Sequence, residues 1–202
     1  MIGWFAAAFL AGALPFSYWI GRFTLKTDIR RFGDGNPGAT NVFRAGGKAW
    51  GVVAALLDVL KGTIPVGLAN FAAGLTGWEL ALVASAPILG HAFSPFLRGR
   101  GGKAVAVTFG MWVVLTIWEA PTVLGIMLWF WFKNVVVSGW AVLLALLSLL
   151  LYLLLAHPDS TLLAAWMGNT IILAWKHRAD LLQWPGLRMR KGALWHSRSF
   201  SS

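Results

Sequence analysis

Three segments of this chain concentrate residue types that can hold a phosphate. The first is "GDGNPGATN", Gly33–Asn41, followed by Arg44. Glycine permits positive φ, asparagine tolerates it, and Pro37 fixes its own φ, so several backbone N–H groups can be aimed into one concavity. Asn36 and Gly38 belong to this run, Thr40 and Asn41 add side-chain donors, and Arg44 follows one turn later if a helix starts near Ala39. The second is "GHAFSPFLRGRGGKAVAVTFG", Gly90–Gly110, with His91, Arg98 and Arg100 ahead of Gly101, Gly102 and Lys103 at the start of an apolar run. Unpaired N–H groups and the helix dipole make such a start attractive to anions. It is not a Walker A loop, because Ala104 follows the lysine where Ser or Thr is required. The third is "AWKHRADLLQ", Ala174–Gln183, with Lys176, His177 and Arg178.

Each segment also has a plainer reading as a capped loop, a packing glycine pair, or a basic flank of a membrane span. Several chemistries are set aside. The four histidines have no metal-ligand spacing, so neither metal nor cofactor is expected. There is no cysteine, which excludes thiol catalysis, and neither a Ser-x-x-x-Lys nor a G-x-S-x-G pattern marks a serine nucleophile.

The elements that must position these segments are membrane helices. The chain of 202 residues is 58% hydrophobic, with a mean hydropathy of +0.69, too apolar for an ordinary soluble domain. Hydropathy marks seven segments, roughly 2–21, 51–74, 80–97, 104–118, 121–132, 135–156 and 161–175; a five-span count results if 104–132 folds back. The first lacks a basic n-region and an A-x-A site, so it reads as a mature helix rather than a signal peptide. In the seven-span reading the connections after spans 1, 3, 5 and 7 hold 16 of the 17 Lys and Arg, while the others hold Glu79, Glu119 and Asp159. The positive-inside rule makes the basic side cytoplasmic, with the N-terminus outside and the C-terminus inside. The net charge of +10 is thus assigned to topology and anionic lipid, not to nucleic acid. The expected fold is an all-α integral membrane protein of about seven helices. It forms one polytopic domain over 1–202, with cytoplasm-facing loops at 22–50, 98–103 and 176–202. Asp58 and Lys61, three residues apart inside a span, are expected to pair on one helical face.

The runs "GNPGATNVFR", "GHAFSPFLRGRGGKAVA" and "KHR", together with "DIRRFG" and "LLDVLKG", resemble in order and spacing the bacterial acyl-phosphate-dependent glycerol-3-phosphate acyltransferases. The resemblance covers nearly all of the chain. It implies a seven-helix inner-membrane enzyme that moves a fatty acyl group from acyl phosphate to the 1-position of glycerol 3-phosphate, giving lysophosphatidic acid for phospholipid synthesis. It also implies that Asn36, Gly38, Thr40, Asn41 and Arg44 form the glycerol-phosphate site and that Lys103 meets phosphate. Gly101 and Gly102 carry the backbone past it, and His177 orients the acceptor hydroxyl. Whether His91, His177 or substrate phosphate takes the proton stays open. Arg100, Ser138 and the residues at 34 and 180 complete the expected substrate-binding set.

The chain departs from the family pattern at several of these positions. Asp34 stands where the first motif usually has Ser, Asp180 where the third has Asn, and Ala104 and Val107 where the second has Gly and Thr. A serine-rich stretch after Lys133 is reduced to Ser138. Two carboxylates beside a phosphate dianion repel it, so a divergent paralogue with another acceptor stands as an alternative reading, and a non-catalytic lipid-binding or transport protein as a third.

Overall fold

The computed structural model describes residues 1–188; the basic residues Arg190, Lys191 and Arg198 and His196 lie outside the described residues. Each of the seven apolar segments contains a helix. Helix α1 (Ile2–Ala13) gives way to the short α2 (Phe16–Trp19) at Leu14–Pro15, because proline disfavours helical backbone in the residue before it. Then follow α3 (Ala39–Gly67), α4 (Gly77–Ala92), α5 (Val105–Thr116), α6 (Glu119–Asn134), α7 (Ser138–Ala156), α8 (Ser160–Lys176) and the short α9 (Arg178–Leu181). Among the described residues, four stretches are long and apolar enough to cross a membrane: Ile2–Thr24, Ala39–Ala72, Gly77–Leu97 and Ser138–Ala156.

The structure moves one boundary substantially. Hydropathy starts the second segment at 51, but α3 already begins at Ala39 and bends at Gly47, whose φ of 77° lies in the left-handed region. The polar residues of the first turns conceal the helix from hydropathy. Their consequence is that Asn41 and Arg44 stand on a helix rather than in a loop.

Inside a membrane there is little hydrophobic drive between helices, so close approach of backbones matters more. Helices α3 and α5 meet at Gly62 and Gly110, where an added Cβ would lie 2.7 Å from the Val107 carbonyl oxygen and 2.1 Å from that of Val59. Leu146, Leu149 and Leu153 of α7 pack with Met111 and Trp112 of α5 in the main apolar core. Phe71, Trp129, Leu151, Leu155 and Ile171 are exposed on the outer surface, an apolar shell of the kind that lipid covers.

The expected Asp58–Lys61 pair is present, at 2.7 Å between Lys61 Nζ and Asp58 Oδ1, and both side chains are almost fully buried. The pair is part of a larger junction. Ser17 Oγ donates to Asp58 Oδ2 at 2.7 Å, Lys61 Nζ donates to the Leu14 carbonyl at 2.8 Å, and Ser94 Oγ donates to the Ala13 carbonyl at 2.6 Å. The carbonyls freed at the α1–α2 break thus find partners on α3 and on the turn after α4. Removing one member of a buried pair strands the other charge, at a cost of about 3–5 kcal/mol. Lys61→Met is therefore expected to lower the melting temperature of the purified protein in detergent by many degrees. A variant that melts with the wild type would show that Asp58 does not depend on its partner.

Candidate active site where three segments meet

The first segment is ordered by its own polar groups. Asp34 Oδ1 accepts from the Asn36 N–H and from Asn41 Nδ2, each at 3.2 Å, and Asn41 Nδ2 also donates to the Asn36 carbonyl at 2.9 Å. Arg44 Nη1 donates to Asn41 Oδ1 at 2.9 Å. Gly38 is the residue before α3, and its buried Cα leaves room for the Asn36 amide. Gly33 has φ +56°, and an added Cβ there would collide with the Arg44 guanidinium. Thr40 sits exposed on the first turn of α3.

The second segment is folded under itself by His91. The Gly102 N–H donates to the His91 carbonyl at 3.0 Å, and a Cβ on Gly102 would fall 2.2 Å from His91 Nε2. Only glycine lets the backbone lie on that ring. His91 is buried behind the loop, with Nδ1 3.9 Å from Asp58. Ala104 precedes α5 with φ +63°, a conformation that disfavours any residue with a Cβ by roughly 1–2 kcal/mol; this is the place where the family pattern has glycine.

These two segments meet the third at Lys103. Its ammonium lies 3.1 Å from Asp34 Oδ2 and 3.4 Å from Asp180 Oδ2. Asp180 Oδ2 also accepts from Ser138 Oγ at 2.9 Å and faces His177 Nδ1 at 3.2 Å. Ser138 opens α7 and Asp180 lies on α9, while Gly139 lets them close: its added Cβ would be 2.5 Å from Asp180 Cβ. A carboxylate partner fixes the proton of a neutral imidazole on Nδ1, leaving His177 Nε2 as the acceptor; that atom is buried without a partner among the described residues. Asp34, Asn36, Asn41, Arg44, Lys103, Ser138, His177 and Asp180 thus form one connected network.

Other expected residues lie elsewhere. Arg100 lines a cavity with Arg30 and Arg98, to which none of Asp34, Lys103, His177 or Asp180 contributes. Gly101 supports the loop from behind, its carbonyl accepting from Lys176 Nζ at 3.0 Å while the same ammonium bonds the Ala92 carbonyl at 2.9 Å. Sequence reading took Lys176 as one member of a basic flank; here it fastens the third segment to the second. The pairing partner is a main-chain carbonyl from a distant segment, so residue types alone carry no signal for it.

Burial by itself would raise the carboxyl of Asp34, but Lys103, the Asn36 N–H and Asn41 outweigh it and hold it below the usual carboxylate range. Asp180 is likewise lowered: burial opposes, while His177, Ser138 and Lys103 prevail. Burial lowers His177, with the Lys103 charge adding to it and Asp180 partly resisting. The pH consequence has a definite sign. Between the unfolded histidine value of about 6.5 and the lower folded value, the unfolded chain holds the extra proton, so stability falls with falling pH. The carboxylates add stability that persists above about 4 and is lost as pH falls through their depressed folded values. His177→Gln is expected to flatten the wild-type decline of melting temperature below pH 6.5. An unchanged profile in that variant would assign the decline to other groups.

A family model described as glycerol-3-phosphate acyltransferase matches residues 2–184. A Thermotoga maritima protein named glycerol-3-phosphate acyltransferase 1 is 47% identical over 118 residues, 57% of this chain and 58% of its own length. An Enterococcus faecalis protein named glycerol-3-phosphate acyltransferase is 45% identical over 104 residues, 52% of this chain and 48% of its own. The alignments therefore span about half to three-fifths of the curated relatives. Two crystal structures of PlsY (YgiH), an integral membrane glycerol 3-phosphate acyltransferase, share the fold. The glycerol 3-phosphate form has a TM-score of 0.76 at 31% identity, covering 90% of both chains. The lysophosphatidic acid form has a TM-score of 0.75 at 32% identity, covering 90% of this chain and 89% of the other. With the match running from α1 through α9 and the three converging segments, the chain belongs to the glycerol-3-phosphate acyltransferase family.

Proposed function

We propose that this protein is an acyltransferase that moves a fatty acyl group from acyl phosphate to the 1-hydroxyl of glycerol 3-phosphate, releasing inorganic phosphate and lysophosphatidic acid for phospholipid synthesis. The observation that carries this reading is the meeting of three phosphate-suited segments at Lys103, within 3.4 Å of Asp180 and 3.1 Å of Asp34. Acyl phosphate is an activated mixed anhydride. The acceptor oxygen forms the new C–O bond as the bond to phosphate breaks, so no covalent enzyme intermediate is needed. The site's tasks are to position two phosphates and to neutralise charge. Lys103 and Arg44 supply cations, Asn36, Thr40 and Asn41 supply donors, and Ser138 adds a hydroxyl. His177, held by Asp180, orients the acceptor hydroxyl.

The charge segregation supports seven spans with the three segments on the cytoplasmic side and the N-terminus outside, and the family resemblance supports a bacterial inner membrane. The basic residues Arg44, Lys103 and Arg178 and the Lys133 turn share one side in that arrangement. On this topology a single cysteine at Ala45 is expected to be blocked only by reagents that reach the cytoplasm, and one at Glu79 by impermeant reagents outside intact cells. Labelling of Ala45→Cys from outside would overturn it.

A second reading keeps the donor and changes the acceptor. It is favoured by the two carboxylates that flank Lys103, which leave that trio with a formal charge of −1. One set of assays with palmitoyl phosphate decides. Lys103→Ala removes a charge-assisted contact of roughly 1.5–3 kcal/mol and is expected to cost about tenfold to a hundredfold in kcat/KM. Asp34→Ser with Asp180→Asn is expected to lower KM for glycerol 3-phosphate about tenfold, equivalent to roughly 1.4 kcal/mol of relieved repulsion. A fully active wild type whose double variant loses activity would make the carboxylates working parts of the site. Transfer to another alcohol, with none to glycerol 3-phosphate, would establish the second reading.

A further inference from the structure

A polar cavity lies outside the Lys103 network. It has a volume of about 470 Å³ and is lined by Tyr18, Arg30, Phe96, Leu97, Arg98 and Arg100. Three guanidinium groups from two separate segments face one space, although like charges repel. Arg30 is held there rigidly. Its Nε and Nη2 donate to the Asp28 carboxylate at 3.0 and 2.7 Å, and its guanidinium lies 4.8 Å over the Tyr18 ring. The Arg30 hydrogen bond holds the Asp28 carboxyl down at about 2, so the pair persists across the physiological range. Asp28 balances Arg30 alone. Arg98 and Arg100 form no ion pair among the described residues, and both are exposed.

The loop that carries them is shaped for the purpose. The Pro95–Leu97 turn ends with Arg98 at φ +53° and Gly99 at φ +75°, and the Gly99 N–H closes on the Ser94 carbonyl at 2.8 Å. This reversal places Arg98 and Arg100 on the same cavity while Gly101 and Gly102 turn away under Lys103. An arginine in left-handed backbone is uncommon outside glycine, asparagine and aspartate. Beside the guanidinium groups, Phe96 is 53% exposed. The cavity therefore combines cations suited to phosphate oxygens with an uncovered aromatic group at the same rim.

We propose that this cavity is a second anion site, distinct from the Lys103 network, which binds the phosphate of a phosphate ester. The exposed Phe96 favours an ester that carries an acyl chain, an anionic lipid of the leaflet on the basic side. Arg98 and Arg100 neutralise the phosphate, Arg30 supplies a fixed donor, and Phe96 and Leu97 meet the first methylenes. A soluble phosphate ester has the same headgroup chemistry and lacks only the chain.

The test uses the delipidated full-length protein in neutral detergent, titrated with phosphatidylglycerol or phosphatidylcholine and read by native mass spectrometry, with inorganic phosphate as competitor. Arg98→Asn removes one cation and keeps a residue that tolerates left-handed backbone. Lys48→Gln removes one exposed cation from the same side of the protein but not from the cavity. The wild type is expected to prefer phosphatidylglycerol by about tenfold, or roughly 1.4 kcal/mol. Arg98→Asn is expected to lose most of that preference, while Lys48→Gln keeps it. Displacement by millimolar phosphate, with equal weak retention of both lipids, would keep the anion site and make its ligand soluble. Equal losses in the two variants, or no anionic preference and no phosphate binding in the wild type, would overturn the site and leave these arginines as bulk topology charge.

Discussion

A carboxylate buried among helices has to be surrounded before the helices can close, and Asp58 sets that requirement here. It is 1% exposed, and its partners come from several elements: Lys61 from its own helix and Ser17 from α2. Lys61 then reaches the Leu14 carbonyl, which the α1–α2 break has freed. Taking an ion pair out of water is costly unless hydrogen bonds complete its surroundings. The arrangement of α1, α2 and α3 is therefore tightly specified at this level. His91 of α4 stands 3.9 Å from the same carboxylate and carries Gly102 on its ring. The junction is thus the floor on which the second segment rests.

Above that floor the geometry is governed by Lys103, which joins the three segments through charge. It links Asp34, ahead of α3, to Asp180 on α9, and Asp180 in turn holds Ser138 and His177. Lys103, Asp34 and Asp180 are partly exposed, so the value of their ion pairs lies in positioning more than in stability. The same carboxylates that order the network compete with a phosphate for its cation. On the proposed function, an arriving dianion would have to displace at least one of the two contacts. The second fastening, Lys176 on the carbonyls of Ala92 and Gly101, is independent of that exchange. It holds the glycine pair without drawing on Lys103.

The two halves of the molecule differ for a physical reason. The bundle relies on Gly62 and Gly110 to bring backbones together and on leucine layers in α7 to fill the core. Its apolar outer surface requires nothing specific of its surroundings. Polar chemistry gathers at one end because backbone groups outside regular helix must find partners, and there loops, side chains and water supply them. Rigid helices beneath irregular loops give a site that can hold charged ligands without opening the core.

Much of this was legible in the residues alone. Each apolar run marked a stretch that contains a helix, because hydropathy is summed over many residues and tolerates local error. The glycine, asparagine and lysine runs marked the segments that meet, and the three-residue spacing of Asp58 and Lys61 sufficed to predict their pairing, since helical geometry fixes that distance. Other features depended on contacts between residues far apart in sequence. The start of α3 at Ala39, which the motif reading raised only as a condition, was hidden from hydropathy by the polar residues of its first turns. The division between His91, beneath the loop, and His177, within the network, was undetermined, because each is a single histidine in a segment that also holds basic residues. The separation of Arg100 from Lys103, only three positions apart, arises at Gly101 and Gly102, which lie against the backbone and ring of His91. The bond from Lys176 to Gly101 joins positions 75 residues apart. Sequence determined which groups the membrane would tolerate, where they would cluster and which neighbours on one helix would pair; only the packed structure decided which groups from different segments touch, because that depends on side-chain directions that no periodicity encodes.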